Sequence, residues 1–391
     1  MTLLIQIAQF IFIISILVIL HELGHFIPAK LFKTKVEKFY LFFDYKFSLF
    51  KKKIGDTEYG IGWIPFGGYV KIAGMIDESM DKEQMKLPPK PWEFRSKPAW
   101  QRLIIMLGGV TVNFFLAWFI YSAMLMYYGE QYVDNSKLDY GVYVDGVGEK
   151  LGIKKGDKIV SIDGKPLEQF GDAAINILLG DKMTVNRNGK NITFPLKDEI
   201  KKLVLENQGK RFITEAIPSK IGFVGEEYAA NKAGILKGDI ITSVNDKKIN
   251  YWQDLVKEIR SNKDKDLNLL INRNDELVNL TIRVPDSLII GISSDIAIMK
   301  KAVVTKEYTL ATSIPRGFEQ TIDVLVKQVR QFKLVFNKQV QGYKHMKGPI
   351  GIVTIMSPTW DWQFVWRFMA MFSVWLAFLN LLPIPALDGG H

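Results

Sequence analysis

The chain opens on an uncharged run. Leu3 to Leu20 carries no ionisable side chain and is interrupted only by Gln6, Gln9 and Ser15 before it continues into His21-Glu22-Leu23-Gly24-His25-Phe26. Two more apolar runs follow, Leu103 to Tyr128 with Asn113 near its middle, and about Phe364 to Leu382 with Arg367 near its start and Asn380 near its end. A helix needs about 20 mostly apolar residues to cross the hydrocarbon core, so the pattern predicts three transmembrane helices. A cleaved signal peptide is the alternative for the first, but no basic stretch precedes it and no small-residue cleavage site follows.

Between the second and third runs the pattern shortens and repeats. Gly152-Ile153-Lys154-Lys155-Gly156-Asp157-Lys158-Ile159-Val160-Ser161-Ile162-Asp163-Gly164-Lys165 matches the stretch from Gly234 to Lys247, 82 residues on, and each copy reads as a Gly-Asp turn, a strand and a second turn. The second copy is followed by a helical pattern from Trp252 to Ile259. Farther on, Phe318, Ile322, Leu325, Val329, Phe332, Phe336 and Val340 recur at helical spacing among Lys and Gln, which predicts an amphipathic helix. Residues 60–71 alternate apolar and small side chains, with glycine at 60, 62, 67 and 68, and predict a short hairpin. Residues 77–97, charged and proline-bearing, predict a loop with a surface helix.

Charge gives the runs a direction. Fifteen Lys and Arg lie from Lys30 to Arg102, against none before the first run. The positive-inside rule therefore places residues 30–102 in the cytoplasm and the N-terminus outside. The segment from about 129 to 363 is then external. The net charge of +10 is accounted for in part by that loop, and no basic motif with interleaved aromatics points to nucleic acid. The 391 residues exceed one ordinary soluble core. The chain stops at His391 after a Gly-Gly pair, and a membrane protein that ends at a polar turn is expected to be a fragment lacking a last span.

The candidate chemistry lies at the end of the first run. His21-Glu22-Leu23-Gly24-His25 is H-E-x-x-H. On a helix, residues i and i+4 share a face, so His21 and His25 can reach one ion while Glu22 takes a proton from the attacking water. The plain alternative is that these groups mark where the helix leaves the bilayer. That suits one charged residue better than three at ligand spacing, and ionisable groups at membrane depth are functional by default. With no cysteine in the chain, a metal would have to be held by His and carboxylates. Asp388 is a candidate third ligand, in Asn380-Leu381-Leu382-Pro383-Ile384-Pro385-Ala386-Leu387-Asp388-Gly389-Gly390-His391; on its own Asp-Gly reads more simply as a turn.

The pair H-E-x-x-H and N-x-x-P-x-P-x-L-D-G-G resembles the site-2 protease family, and the inserted external module resembles its RseP branch. Supporting stretches fall in the same order: Gly60 to Lys71, Phe94 to Arg102, Gly109-x-x-x-Asn113, and Gly348-Pro349-Ile350-Gly351-Ile352. The resemblance implies one zinc ion held by His21, His25 and Asp388, with Glu22 as general base and Asn380 positioning substrate or polarising its carbonyl. It implies that the loop with Gly67, Gly68 and Tyr69 lies against the membrane and holds substrate as an added strand. The repeats look like two PDZ domains, expected to act as a size filter more than as tight peptide binders.

The expected fold is therefore a multi-pass α-helical membrane protein with a membrane-associated β-hairpin loop and two inserted PDZ domains. Its expected parts are a first span at 1–28, a cytoplasmic loop at 29–102, a second span at 103–128, PDZ domains at 129–215 and 216–300, an external amphipathic segment at 301–363 and a third span at 364–391. The expected activity is hydrolysis, inside the membrane, of single-span proteins already cut by another protease, of the anti-sigma factor or remnant signal peptide class. The expected place is a bacterial inner membrane, with the N-terminus and PDZ domains periplasmic and H-E-x-x-H near the cytoplasmic side. A catalytically dead PDZ scaffold is the rival, and it predicts loss of Glu22 or a ligand, neither of which has occurred. A transporter would show more spans and internal symmetry.

Overall fold

In the computed structural model, residues 2–75, 88–207, 211–384 and 387–388 are described. The chain divides into two compact units: residues 1–129, 307–333 and 346–391 form one, and residues 130–306 and 334–345 the other.

The first unit holds the three helices that are long and apolar enough to cross a membrane, α1 (Thr2–Leu31), α2 (Ala99–Tyr128) and a later helix, Trp362–Leu381. The later helix starts where it does because the Asp361 side chain accepts from the Gln363 and Phe364 amides, leaving fewer N–H groups at the helix start without a partner. Ile13 and Leu17 of α1, Ala117 of α2 and Val365, Met369 and Val374 of the later helix make a common core. Near the metal motif α1 and α2 approach at glycines: a Cβ on Gly24 would meet the Gly108 carbonyl, and one on Gly108 the Gly24 carbonyl. Small residues allow such close backbone approach between helices in lipid.

The loop between α1 and α2 forms a four-stranded sheet of β1 (Val36–Phe43), β2 (Phe50–Ile54), β3 (Thr57–Ile61) and β4 (Ile64–Ile72), in the order β2-β3-β1-β4. This corrects the hairpin expected at residues 60–71. β3 and β4 do not pair with each other; β1 lies between them, parallel to β3 and antiparallel to β4. The link passes over the end of β1, where the Gly62 amide donates to the Leu41 carbonyl and the Trp63 amide to that of Phe43. The hairpin in this sheet is β2–β3, turning at Gly55 with φ +61°. Of the expected surface helix in 77–97, residues 77–87 lie outside the described residues, and the rest holds a 3₁₀ turn at Phe94–Ser96.

The amphipathic helix is present as Leu310–Phe336, and Val340 lies beyond its end. Its fully buried positions are Ser313, Gly317, Thr321 and Gln328, whereas Phe318 is 41% and Phe336 71% exposed. The apolar face is therefore not the most buried one. Gly317 sits directly against Ser122 of α2, Trp118 donates to the Ile314 carbonyl at 2.8 Å, and Gln328 donates to the Met371 carbonyl at 3.2 Å. The absence of a side chain at Gly317 is what permits the close approach to α2, while Val324 and Leu325 pack at the edge of the helical core.

The second unit contains two sheets of like design. In the first, strands Lys190–Pro195, Lys182–Arg187, Lys158–Ile162 and Lys165–Pro166 stand in that order; in the second, Glu276–Arg283, Asp266–Arg273, Ile240–Val244 and Lys247–Lys248 do. The likeness extends to single bonds. Arg187 holds buried Asp157 through two nitrogens and reaches the Gly152 carbonyl, while Arg273 does the same with Asp239 and Gly234. Where the two meet, Tyr143 and Lys155 both donate to Asp254, at 3.1 and 2.7 Å. Burial opposes the Lys155 charge, but the Asp254 and Tyr143 oxygens outweigh it and leave its pKa above the usual lysine range.

Candidate metal centre

α1 is an unbroken helix through its motif, so His21 and His25 fall on one buried face. Asp388 arrives from the other end of the chain. The later helix ends at Leu381, Leu382 turns to extended backbone, and the Asp388 carboxylate lies against α1. The Asp388 Oδ2 atom lies 3.0 Å from His21 Nε2 and 3.2 Å from His25 Nε2, and the two Nε2 atoms are 3.3 Å apart. A tetrahedral ion with bonds of about 2.0–2.1 Å sets its ligand atoms about 3.3 Å apart. The three atoms thus already form one face of such a shell, and this is the cluster among the described residues with metal-ligand convergence.

α2 supplies the surroundings. The His25 Nδ1 atom lies 2.8 Å from the Ile105 carbonyl, an acceptor that places the proton there and leaves the Nε2 lone pair toward Asp388. One helical turn along α2, Gly109 stands against both imidazoles: a Cβ there would meet His25 Nε2, His21 Cε1 and His21 Nδ1. A further turn along, the Asn113 side chain meets His21 Nδ1 at 3.1 Å. Asn380, near the end of the later helix, has its amide nitrogen 3.1 Å from His21 Nε2. Glu22 follows His21 on α1, half-buried and close enough to His25 to interact with it electrostatically.

The sheet lies beside this cluster. Gly68 of β4 backs onto α1, where a Cβ would strike Val18 and the Tyr40 carbonyl, and a Cβ on Gly67 would strike the Phe43 ring. Those glycines let the strand lie flat on its neighbours one turn from His21. The Tyr69 ring stacks on Tyr40 at 5.3 Å between centroids, and its hydroxyl donates to Asp44 at 3.0 Å. Burial, aided by Asp44, pushes the Tyr69 phenol well above its ordinary pKa, so the proton stays in that bond. The structure therefore brings His21, His25, Asp388 and Asn380 together, and places Gly67, Gly68 and Tyr69 in the sheet rather than at the cluster. Gly109 and Asn113, seen in the sequence only as a supporting pattern, stand at the imidazoles. Pro385, Ala386, Gly389, Gly390 and His391 lie outside the described residues.

Residues 9–391 match peptidase family M50. A Neisseria meningitidis protein whose name assigns it to the zinc metalloproteases is 30% identical, over 98% of this chain and 88% of its own length. The regulator of sigma-E protease RseP of Escherichia coli and the regulator of sigma E protease of Haemophilus influenzae are each 27% identical, over 99% of this chain and 89% of their own lengths.

Proposed function

The chain belongs to peptidase family M50 and is a zinc metalloprotease, and from that premise we propose that it cuts single-span membrane proteins within their apolar segment. The observation that carries this reading is the convergence of Asp388 with His21 and His25, which lie on a helix long and apolar enough to cross a membrane. These residues would hold the ion through two imidazole nitrogens and one carboxylate oxygen, a donor set that suits zinc and leaves a fourth position for substrate or water. When bound, zinc supplies Lewis acidity that polarises the scissile carbonyl and acidifies a water. Glu22 accepts the proton of the attacking water and delivers it to the departing amide nitrogen. Asn380 donates to the oxygen on which charge develops. The edge of β4, backed onto α1 through Gly68, holds the unwound substrate as an added strand.

The chain is read as a multi-pass protein of a bacterial inner membrane, with the basic loop in the cytoplasm and residues 130–306 outside. Two PDZ domains are supported by the paired sheets and by the repeated Arg–Asp–Gly bonds. They exclude bulky proteins, so the substrates are those already shortened by another protease. The names of the RseP relatives point to sigma-E regulation and thus to an anti-sigma factor, with remnant signal peptides of the same single-span form as a second class. Zinc analysis of the purified protein tests the ligand set. Wild type is expected to carry near-stoichiometric zinc, and His21→Ala, His25→Ala and Asp388→Ala each to lose most of it. Undiminished zinc in all three variants would overturn the assignment.

A further inference from the structure

Zinc can bind His21 through Nε2 only if the ring proton sits on Nδ1. For His25 the Ile105 carbonyl provides the matching acceptor at 2.8 Å. Ile105, Gly109 and Asn113 form one stripe on α2, at i, i+4 and i+8. The first faces His25, the second both rings and the third His21. Asn113 is fully buried, and its Oδ1 has no hydrogen-bond partner. A buried carbonyl left without a donor is destabilising. Its backbone is fixed by Ser373, whose hydroxyl donates to the Asn113 carbonyl at 2.7 Å. Rotating the amide by half a turn exchanges its oxygen and nitrogen with almost no change of shape. The oxygen then meets His21 Nδ1 at the 3.1 Å now spanned by the nitrogen, satisfying the orphaned acceptor and fixing the ring proton on Nδ1.

We propose that Asn113 is a positioning residue for the metal centre: its amide oxygen accepts the His21 Nδ1 proton and so holds the Nε2 lone pair toward the ion. The pattern Gly109-x-x-x-Asn113 is then the α2 counterpart of H-E-x-x-H, one residue making room for both rings and the other setting the tautomer of the first. This rests on His21 being a zinc ligand. The test is zinc affinity of the full chain in detergent, by competition with a chromogenic chelator, with the visible spectrum of the cobalt-substituted protein as second readout. Asn113→Leu, close in shape but without an acceptor, is expected to bind zinc about 10- to 100-fold more weakly, the usual effect of losing such a support. Asn113→Asp keeps the acceptor and is expected to retain wild-type affinity and the wild-type cobalt spectrum. Leu and Asp variants that lose affinity equally, or a Leu variant that matches wild type while His21→Ala does not bind, would overturn the proposal. Wild-type affinity in His21→Ala itself would instead sink the ligand assignment on which it stands.

Discussion

Glu22→Gln is expected to abolish cleavage while the protein keeps its zinc. The substitution preserves size and helix propensity but leaves an amide that cannot take the proton of an attacking water. A positioned general base contributes about 10²- to 10⁴-fold, so the cleavage rate should fall by at least the lower of these. Glu22 is outside the set of three convergent atoms contributed by His21, His25 and Asp388, which is why metal content should survive its loss. Rate and zinc content measured on the same preparation separate the two roles. A variant that cuts at the wild-type rate would remove Glu22 as the base.

The second large effect is expected from a single methyl group. Gly109→Ala places a Cβ 2.5 Å from His21 Cε1 and 2.7 Å from His21 Nδ1, and as close to His25 Nε2. Neither side can yield easily. The next residue, Gly108, already packs backbone to backbone on Gly24 of α1, so the helices cannot part there without losing that contact. The imidazoles must rotate instead, and their nitrogens leave the geometry that Asp388 completes. Overpacking of this kind costs about 1–3 kcal/mol. If that cost falls on the bound geometry, zinc affinity drops about five- to 150-fold, and cleavage at limiting zinc drops with it. Leu107→Ala, on an exposed part of the same helix, is the matched control and should bind zinc as wild type does. Equal affinity in Gly109→Ala and wild type would show that the rings have room the structure does not give them.

The sequence showed the parts of this molecule that repeat locally and hid those that depend on distant partners. H-E-x-x-H could be placed on a helix from its spacing, and the spacing alone said that His21 and His25 share a face. Asp388 lies 367 residues from His21, and its Asp-Gly pair looked like a turn until family resemblance supplied another meaning. The sheet order was not legible, because the parallel pairing of β3 with β1 joins strands that a hairpin rule would leave apart. In Leu310–Phe336 the helical period was right, but the face with the most buried residues was not the apolar one, since the backbone of Gly317 packs directly against Ser122. The Gly-Asp repeat was visible at its offset of 82 residues. Its partners Arg187 and Arg273 are not at that offset, so the ion pairs that make the copies alike escaped a fixed-step comparison. Gly109 and Asn113 carried a pattern with no stated role, because nothing in a single chain says which turn of α2 faces which imidazole.

The central claim, zinc-dependent hydrolysis inside the membrane, is tested most directly by mapping the cut. Purified full-length protein is incubated in detergent with a single-span substrate, and the product termini are read by mass spectrometry with and without a zinc chelator. The expected result is a cut within the apolar segment that the chelator stops and added zinc restores. Cutting confined to the polar flanks, or cutting that persists with zinc removed, would contradict it.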